Sequence, residues 1–429
     1  MPEPKSRAAA VARLLERLVN VRPDEVRALL WSFAYFFCLL CSYYILRPLR
    51  DEMGIAGGIQ NLPWVFTATF VAMLAAVPAF GMVTARLPRR VFMPLVYYFF
   101  VVNIVLFYAL FQTGIPRAGL ARGFFVWTSV FNLFVVSVFW SFMADLYRNE
   151  QARRLFGFIA AGGSAGAIAG PALTAALATR LGPVHLLPVS AALLLAATFC
   201  IHRLLARMRA DRTATREQPL GGGVLAGVRL VAGSPYLLGV CTFVLLFTTL
   251  STFLYFEQAN IVKAAYDDPG RRTTLFASID LAVNVLTIAT QVLVSGRVMS
   301  RFRLSVALGA IPVLVLGGFT LLAAAPLLVV LVVFQVVRRA GNYALTRPAR
   351  EVLFTVVDTE TKYKAKNFID TVVYRGGDAA SGWLFGGLRE LGLSLSAMAW
   401  IAVPIAALWL ANGVLLGRRH ERLRSRLPR

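Results

Sequence analysis

The chain has 429 residues, of which 58% are hydrophobic and 15% charged, with a formal net charge of +23. Soluble domains carry about 45–50% apolar and about 25% charged residues, so this composition excludes an ordinary soluble enzyme and describes a polytopic membrane protein. The basic excess does not mark a nucleic-acid binder, because its arginines fall in short clusters between apolar runs, where membrane proteins keep them in cytoplasmic loops.

The first 27 residues are polar, hold no apolar core of signal-peptide type, and read as a cytoplasmic amphipathic lead-in. A spanning helix needs about 20 mostly apolar residues. Twelve are predicted, near 28–48, 63–84, 91–112, 120–144, 157–179, 184–205, 235–256, 273–295, 304–323, 325–346, 367–389 and 393–416. They form two six-helix bundles, 28–205 and 235–416, separated by a cytoplasmic linker at 206–234 and followed by a basic cytoplasmic tail at 417–429. Basic residues gather after the even-numbered spans, for example Arg148, Arg153 and Arg154 after span 4 and Arg297, Arg301 and Arg303 after span 8. The positive-inside rule then puts both termini in the cytoplasm.

The end of span 1, "SYYILRPLRDEMGI", crowds Arg47, Arg50, Asp51 and Glu52 around Pro48. Proline denies the helix ladder an N–H, so span 1 is expected to loosen there. Charges within membrane segments are costly and therefore functional candidates. The others are Glu257 and Lys263 at the end of span 7, Asp280 in span 8, Arg338 and Arg339 in span 10, and Asp370, Arg375 and Asp378 in span 11. Arginine suits phosphate or carboxylate because its planar fork donates two parallel bonds. Arg47, Arg50, Arg338, Arg339 and Arg375, with Tyr44 and Tyr343, are the candidate anion-binding residues. Asp51, Glu52, Glu257, Asp280, Glu351, Asp370 and the lysines Lys362, Lys364 and Lys366 are candidates for gating or coupling. The bland alternative pairs Arg50 with Asp51 or Glu52, and Arg338 and Arg339 with Asp280 or Glu257, to lock helices.

The two halves echo each other. "GMVTARLPRR" after span 2 matches "GRVMSRFRLS" after span 8, and "NEQARRLFGFI" matches "TETKYKAKNFI" weakly, as expected of a duplicated six-helix unit. Two such halves joined by a cytoplasmic loop resemble the major facilitator superfamily, which implies an all-α fold with a central cavity. Gly81, Arg86, Arg89 and Arg90 fall in register with that superfamily's loop motif, with Ala85 in place of its aspartate and Pro88 in place of a glycine. In span 5, "GGSAGAIAGP" reads as close helix packing through small residues, and its Gly-Pro also resembles an antiporter signature.

The segment after span 10 holds Pro348, Arg350, Glu351, Asp358, Lys362, Lys364, Lys366, Ile369 and Asp370 at the places of a motif in the ATP/ADP translocases of bacteria and plastids. "YYILRPLRDEMGI" and "FWSFMADLYRNEQARRLFG" resemble that family's first-span and fourth-span signatures. The resemblance implies a carrier that exchanges nucleotides, with Arg50 as a basic substrate residue. The departures are the missing acidic residue ahead of the Phe-Trp and Asp378 where the family carries Lys. No phosphate-binding Gly-Lys-Thr/Ser loop or nucleophile elbow occurs. The four cysteines and three histidines lack ligand spacing. The chain is therefore expected to be no enzyme, with no cofactor, metal or catalytic residue. It is expected to be a monomer in a bacterial inner membrane, carrying a small anion. The alternatives are a proton-coupled transporter of another anion, with Asp280, Glu257 or Asp370 as proton carrier, and a membrane sensor or assembly factor on a carrier fold.

Overall fold

The computed structural model describes residues 21–86, 88–208 and 224–425. Most of the predicted lead-in (1–20), the middle of the predicted linker (209–223) and the last four residues of the tail lie outside them. The described residues contain helices and no strand. In chain order the long helices are α1 Val26–Ala56, α2 Leu62–Arg86, α3 Arg89–Phe111, α4 Arg117–Leu146, α5 Asn149–Leu181 and α6 Leu187–Met208. They continue as α7 Pro235–Ala265, α8 Pro269–Arg301, α9 Leu304–Ala324, α10 Leu328–Val356, α11 Tyr374–Glu390 and α12 Leu395–Arg424. Eleven of these are long and apolar enough to cross a membrane. The twelfth, α11, expected as the span at 367–389, is a 17-residue helix that carries Arg375, Asp378, Arg389 and Glu390. It is covered by protein. Gly377, Ala379, Ser381, Gly382 and Phe385 are buried, which lowers the apolarity a spanning helix needs.

One sequence expectation needs correcting. Span 1 does not end at Pro48, because α1 runs through it to Ala56. The lost hydrogen bond is outweighed by the apolar residues beyond it, since Leu49, Met53 and Ile55 are all buried. Arg47, Arg50, Asp51 and Glu52 thus sit within a continuous helix, not at its frayed end.

The chain divides into two compact units. The first comprises residues 1–52, 76–217 and 269–281, and the second residues 53–75, 218–268 and 282–429. In the first unit α5 lies directly on α1. A Cβ at Gly162, Gly166 or Gly170 would fall 2.6, 2.3 and 2.7 Å from the carbonyl oxygens of Phe33, Phe37 and Cys41. This Gly-x-x-x-Gly-x-x-x-Gly stripe brings two backbones together as only glycine allows, and the packing reading of "GGSAGAIAGP" holds. Elsewhere in the unit Ser42 bonds Ser190 (2.8 Å), and the Tyr35 hydroxyl donates to Tyr97. At the head of α1, Glu25 accepts from the Arg22 N–H (3.0 Å), the Gln151 amide (2.8 Å) and Arg154 (3.0 Å), tying α1 to the start of α5.

The second unit is built around α7. Phe253 and Phe256 meet Phe385 of α11 with ring centroids 5.3 and 5.2 Å apart, while Phe243 and Phe247 meet Trp409 of α12. α12 packs on α9 through Gly413 and Gly417, where a Cβ would fall 3.2 Å from Leu308 O and 2.4 Å from Ser305 Cα. Three π turns interrupt the α-helices of this unit, at Gln291–Ser295 in α8, Asn342–Thr346 in α10 and Ile369–Val373 ahead of α11. The Ser295 hydroxyl donates to Ala344 O (2.8 Å), linking the first two. A π turn breaks the regular ladder and often marks a functional site.

Candidate functional site

The charges of α1 are gathered, in the first unit, with two that the sequence places about 220 residues away. Arg272, in the first turn of α8, grips Glu52 with both ends of its fork, Nε to Oε2 at 2.7 Å and Nη2 to Oε1 at 2.8 Å. Arg47 Nε lies 3.5 Å from Asp280 Oδ2, and Arg50 donates to its neighbour Asp51 (2.8 and 3.2 Å). Glu52 and Asp280 are each 1% exposed. Three arginines meet three carboxylates, as burial demands, because an unpartnered ion costs several kcal/mol in a low-dielectric interior. Aromatic faces complete the seat. Arg50 lies 4.9 Å from the Phe125 ring centroid and Arg47 5.8 Å from that of Tyr44. Of the expected anion ligands, then, Arg47 and Arg50 are each given a carboxylate here, Arg47 by Asp280 of α8 and Arg50 by its neighbour Asp51 on the same helix, the pairing that the structural alternative offered for Arg50.

In the second unit, Arg338 donates to the Ser251 hydroxyl (2.7 Å) and to Gln335 (3.0 Å), which in turn donates to Gln258 of α7 (2.6 Å). This buried amide network holds a guanidinium between α7 and α10 through neutral groups. Arg339 is half-buried beside it. Glu257 is 1% exposed, and neither carboxylate oxygen has a hydrogen-bond partner among the described residues. Asp378 accepts from Thr252 (3.2 Å) and from Arg375 (3.5 Å), and Arg375 lies 5.3 Å from the Tyr374 ring centroid. The motif expected after span 10 begins inside α10, which runs past 346 to Val356, and it forms a two-rung clasp, with Arg350 on Asp370 (3.1 Å) and Lys366 on Glu351 (2.6 Å). Lys362 and Lys364 are half-buried on the helix Thr359–Phe368, whose first N–H groups are capped by Asp358. Arg86, at the end of the loop motif's first half, is exposed; the side chains of Gly81, Arg89 and Arg90 lie outside the described set.

Beside this clasp, and entirely within the second unit, lies a small cleft of about 10 Å³, partly open to solvent, with room for about one water. Phe243, Val244 and Phe247 of α7, Asn342, Thr346, Arg347 and Arg350 of α10, and Tyr374 of α11 line it. Both polar edges come from π turns, because Asn342–Thr346 is one and Ile369–Val373 delivers Tyr374. Arg347 lies 5.1 Å from the Tyr343 ring centroid. The sequence pointed to Tyr343 but not to Arg347, Asn342, Thr346, Tyr374 or Arg272. For Arg272 the only available signal was its position one residue before a predicted span.

The family model of the Major Facilitator Superfamily matches residues 28–349. The chain belongs to the major facilitator superfamily. Within it, ADP,ATP carrier protein 1 of Chlamydia muridarum (strain MoPn / Nigg) is 22% identical over 490 aligned positions, covering 95% of this chain and 91% of that protein. ADP,ATP carrier protein 1 of Chlamydia pneumoniae is 20% identical over 495, covering 96% and 95%. Among solved superfamily structures, the POT family transporter PepTSo aligns with a TM-score of 0.65 at 13% identity, over 94% of this chain and 99% of that one. The nucleoside transporter NupG aligns at 0.62 and 14%, over 92% and 99%. At such identities the likeness is one of fold. Family membership and the apolar helices together make this chain an integral membrane transporter.

Proposed function

We propose that this superfamily member is a nucleotide antiporter of the ADP/ATP-carrier type. The observation that carries the reading is the likeness to ADP,ATP carrier proteins along 95% of the chain, which coincides with arginines set inside spanning helices at positions 47, 50, 338 and 339. A polyanion requires several such charges, and arginine's fork matches phosphate oxygens. In this reading the two six-helix halves, 28–205 and 235–416, alternate access to the anion site, which Arg47, Arg50, Arg338, Arg339 and Arg375 serve when the substrate displaces their present partners. Asp51, Glu52, Asp280 and Asp370 then act as the counter-ions that hold the empty site closed. The nucleotide is cargo and is not hydrolysed. The carrier works as a monomer in a bacterial inner membrane, with both termini in the cytoplasm.

Proteoliposomes test this directly. Labelled ATP should enter vesicles loaded with ADP and stay out of empty ones, and Arg50→Gln should abolish the exchange at unchanged expression. Uptake that is indifferent to internal nucleotide would end the antiport reading. Glu257 favours a second reading, proton-coupled transport of another anion, because a buried carboxylate with neither oxygen bonded is suited to carry a proton. Uptake would then follow an imposed pH gradient and fail in Glu257→Gln.

A further inference from the structure

We propose that the exposed corner where α1 begins and α6 ends, flanked by α3, binds an anionic phospholipid, with Arg27 and Arg203 on its phosphate.

Two antiparallel helices build the corner. Ser42 of α1 meets Ser190 of α6 at 2.8 Å, and nearer the start of α1 Trp31 meets Phe199 with ring centroids 5.7 Å apart. One helical turn further in the same direction, on the same two faces, stand Arg27 in α1 and Arg203 in α6. Both are exposed, and neither has a carboxylate partner among the described residues. Other arginines of this unit are answered, Arg154 by Glu25 at 3.0 Å and Arg272 by Glu52 at 2.7 Å. Arg203 lies 5.0 Å from the Phe199 ring centroid, and a guanidinium seated on a ring face keeps N–H donors at its edge. Two like charges set opposite each other repel, and an anion between them turns that repulsion into attraction. Phosphate oxygens match the arginine fork.

The surroundings favour a lipid over a free phosphate. α1 has 31 residues and is therefore about 46 Å long, more than the roughly 30 Å hydrocarbon core, which leaves its first turn at the level of the headgroups. Trp31 and Tyr98 stand where interfacial aromatics collect. Tyr98 Oη and His202 Nε2 are 3.2 Å apart on the exposed face of α3 and α6. With the imidazole neutral, the pair holds two polar hydrogens and its mutual bond uses one. Whichever tautomer is present, one O–H or N–H donor remains, and an ester carbonyl of a glycerolipid can accept it. One turn deeper on the same two helices, Leu195 and Val102 are 45% and 64% exposed, apolar surface suited to acyl chains. A soluble phosphate would use the two arginines alone.

The test is native mass spectrometry of the full-length protein in detergent, with dioleoylphosphatidylglycerol, dioleoylphosphatidylcholine or glycerol 3-phosphate added. Wild type should retain phosphatidylglycerol about 25-fold more tightly than phosphatidylcholine, about fivefold for each arginine, and should not retain glycerol 3-phosphate. Arg27→Gln with Arg203→Gln should lose that preference. Arg117→Gln with Arg180→Gln, which takes the same charge from exposed positions elsewhere in the unit, should keep it. Tyr98→Phe with His202→Phe should weaken both lipids and leave their ratio unchanged. Melting without lipid checks that each variant is folded. Equal retention of the two lipids by wild type would overturn the proposal. So would equal loss of preference in both arginine pairs, since the lipid would then be reading net charge only. Retention of glycerol 3-phosphate as tight as that of the lipid would make this a soluble-phosphate site and overturn it too.

Discussion

Arg272→Ala tests the charge cluster most sharply. The substitution removes a two-pronged partner, with contacts of 2.7 and 2.8 Å, from a Glu52 carboxylate that is 1% exposed. Breaking a buried pair by taking away one member costs about 3–5 kcal/mol, because the remaining charge is stranded. The unit that contains the pair has roughly 200 residues, for which each kcal/mol moves melting by about 2–4 °C. The expected fall is therefore about 6–20 °C, read by thermal unfolding in detergent. Removing both charges of the pair, as Glu52→Gln with Arg272→Met, should recover part of the loss, giving a large coupling in a double-mutant cycle. A single mutant that melts within about 2 °C of wild type, or a double mutant as damaged as the single, would refute the assignment of this pair as a buried fastening.

Other outcomes follow from the same reasoning. Gly166→Ala should destabilise by at least about 1–3 kcal/mol, since its Cβ would fall 2.3 Å from Phe37 O; Gly157→Ala, with nothing within 4 Å, should be neutral or slightly stabilising in the same melts. Burial pushes the Glu25 carboxyl up, but the Arg22 N–H, Gln151 and Arg154 outweigh it and hold it below its ordinary 4.5. Because the folded value lies below the unfolded one, this stabilisation is complete above pH 4.5 and is lost as the pH falls through the folded value. Melting followed across that acid range should flatten in Glu25→Gln. Asp280→Asn should leave Arg47 short of its 3.5 Å counter-ion and lower stability, whereas Asp280→Glu should retain most of it.

Much of this architecture is legible from composition and periodicity. Apolar run lengths point to twelve spans because the bilayer imposes one length on all of them, and eleven of the helices meet that length and apolarity. The glycine stripe of α5 is legible too, since three glycines four residues apart have few other uses in a spanning helix. α11 is harder, because its charges and glycines are tolerated by contacts with α7, which no local window contains. The same limit applies to the charge cluster. Arg47, Arg50, Asp51 and Glu52 stand out as embedded charges, but nothing local says that Arg272 and Asp280 answer them from about 220 residues away. The cleft was least legible of all. "AGNYALTRPAREV" has no local signal that separates a π turn from an α turn, so neither the turn nor the cleft beside it could be read from the sequence.

A π turn is an α-helical turn that has absorbed one residue too many without disturbing the turns on either side. Each of the three among the described residues holds one residue more than a regular turn, and all three fall in the second half of the chain. A relative whose α10 is regular throughout should therefore align with a one-residue gap at Asn342–Thr346, a difference that comparisons scoring only substitutions would pass over.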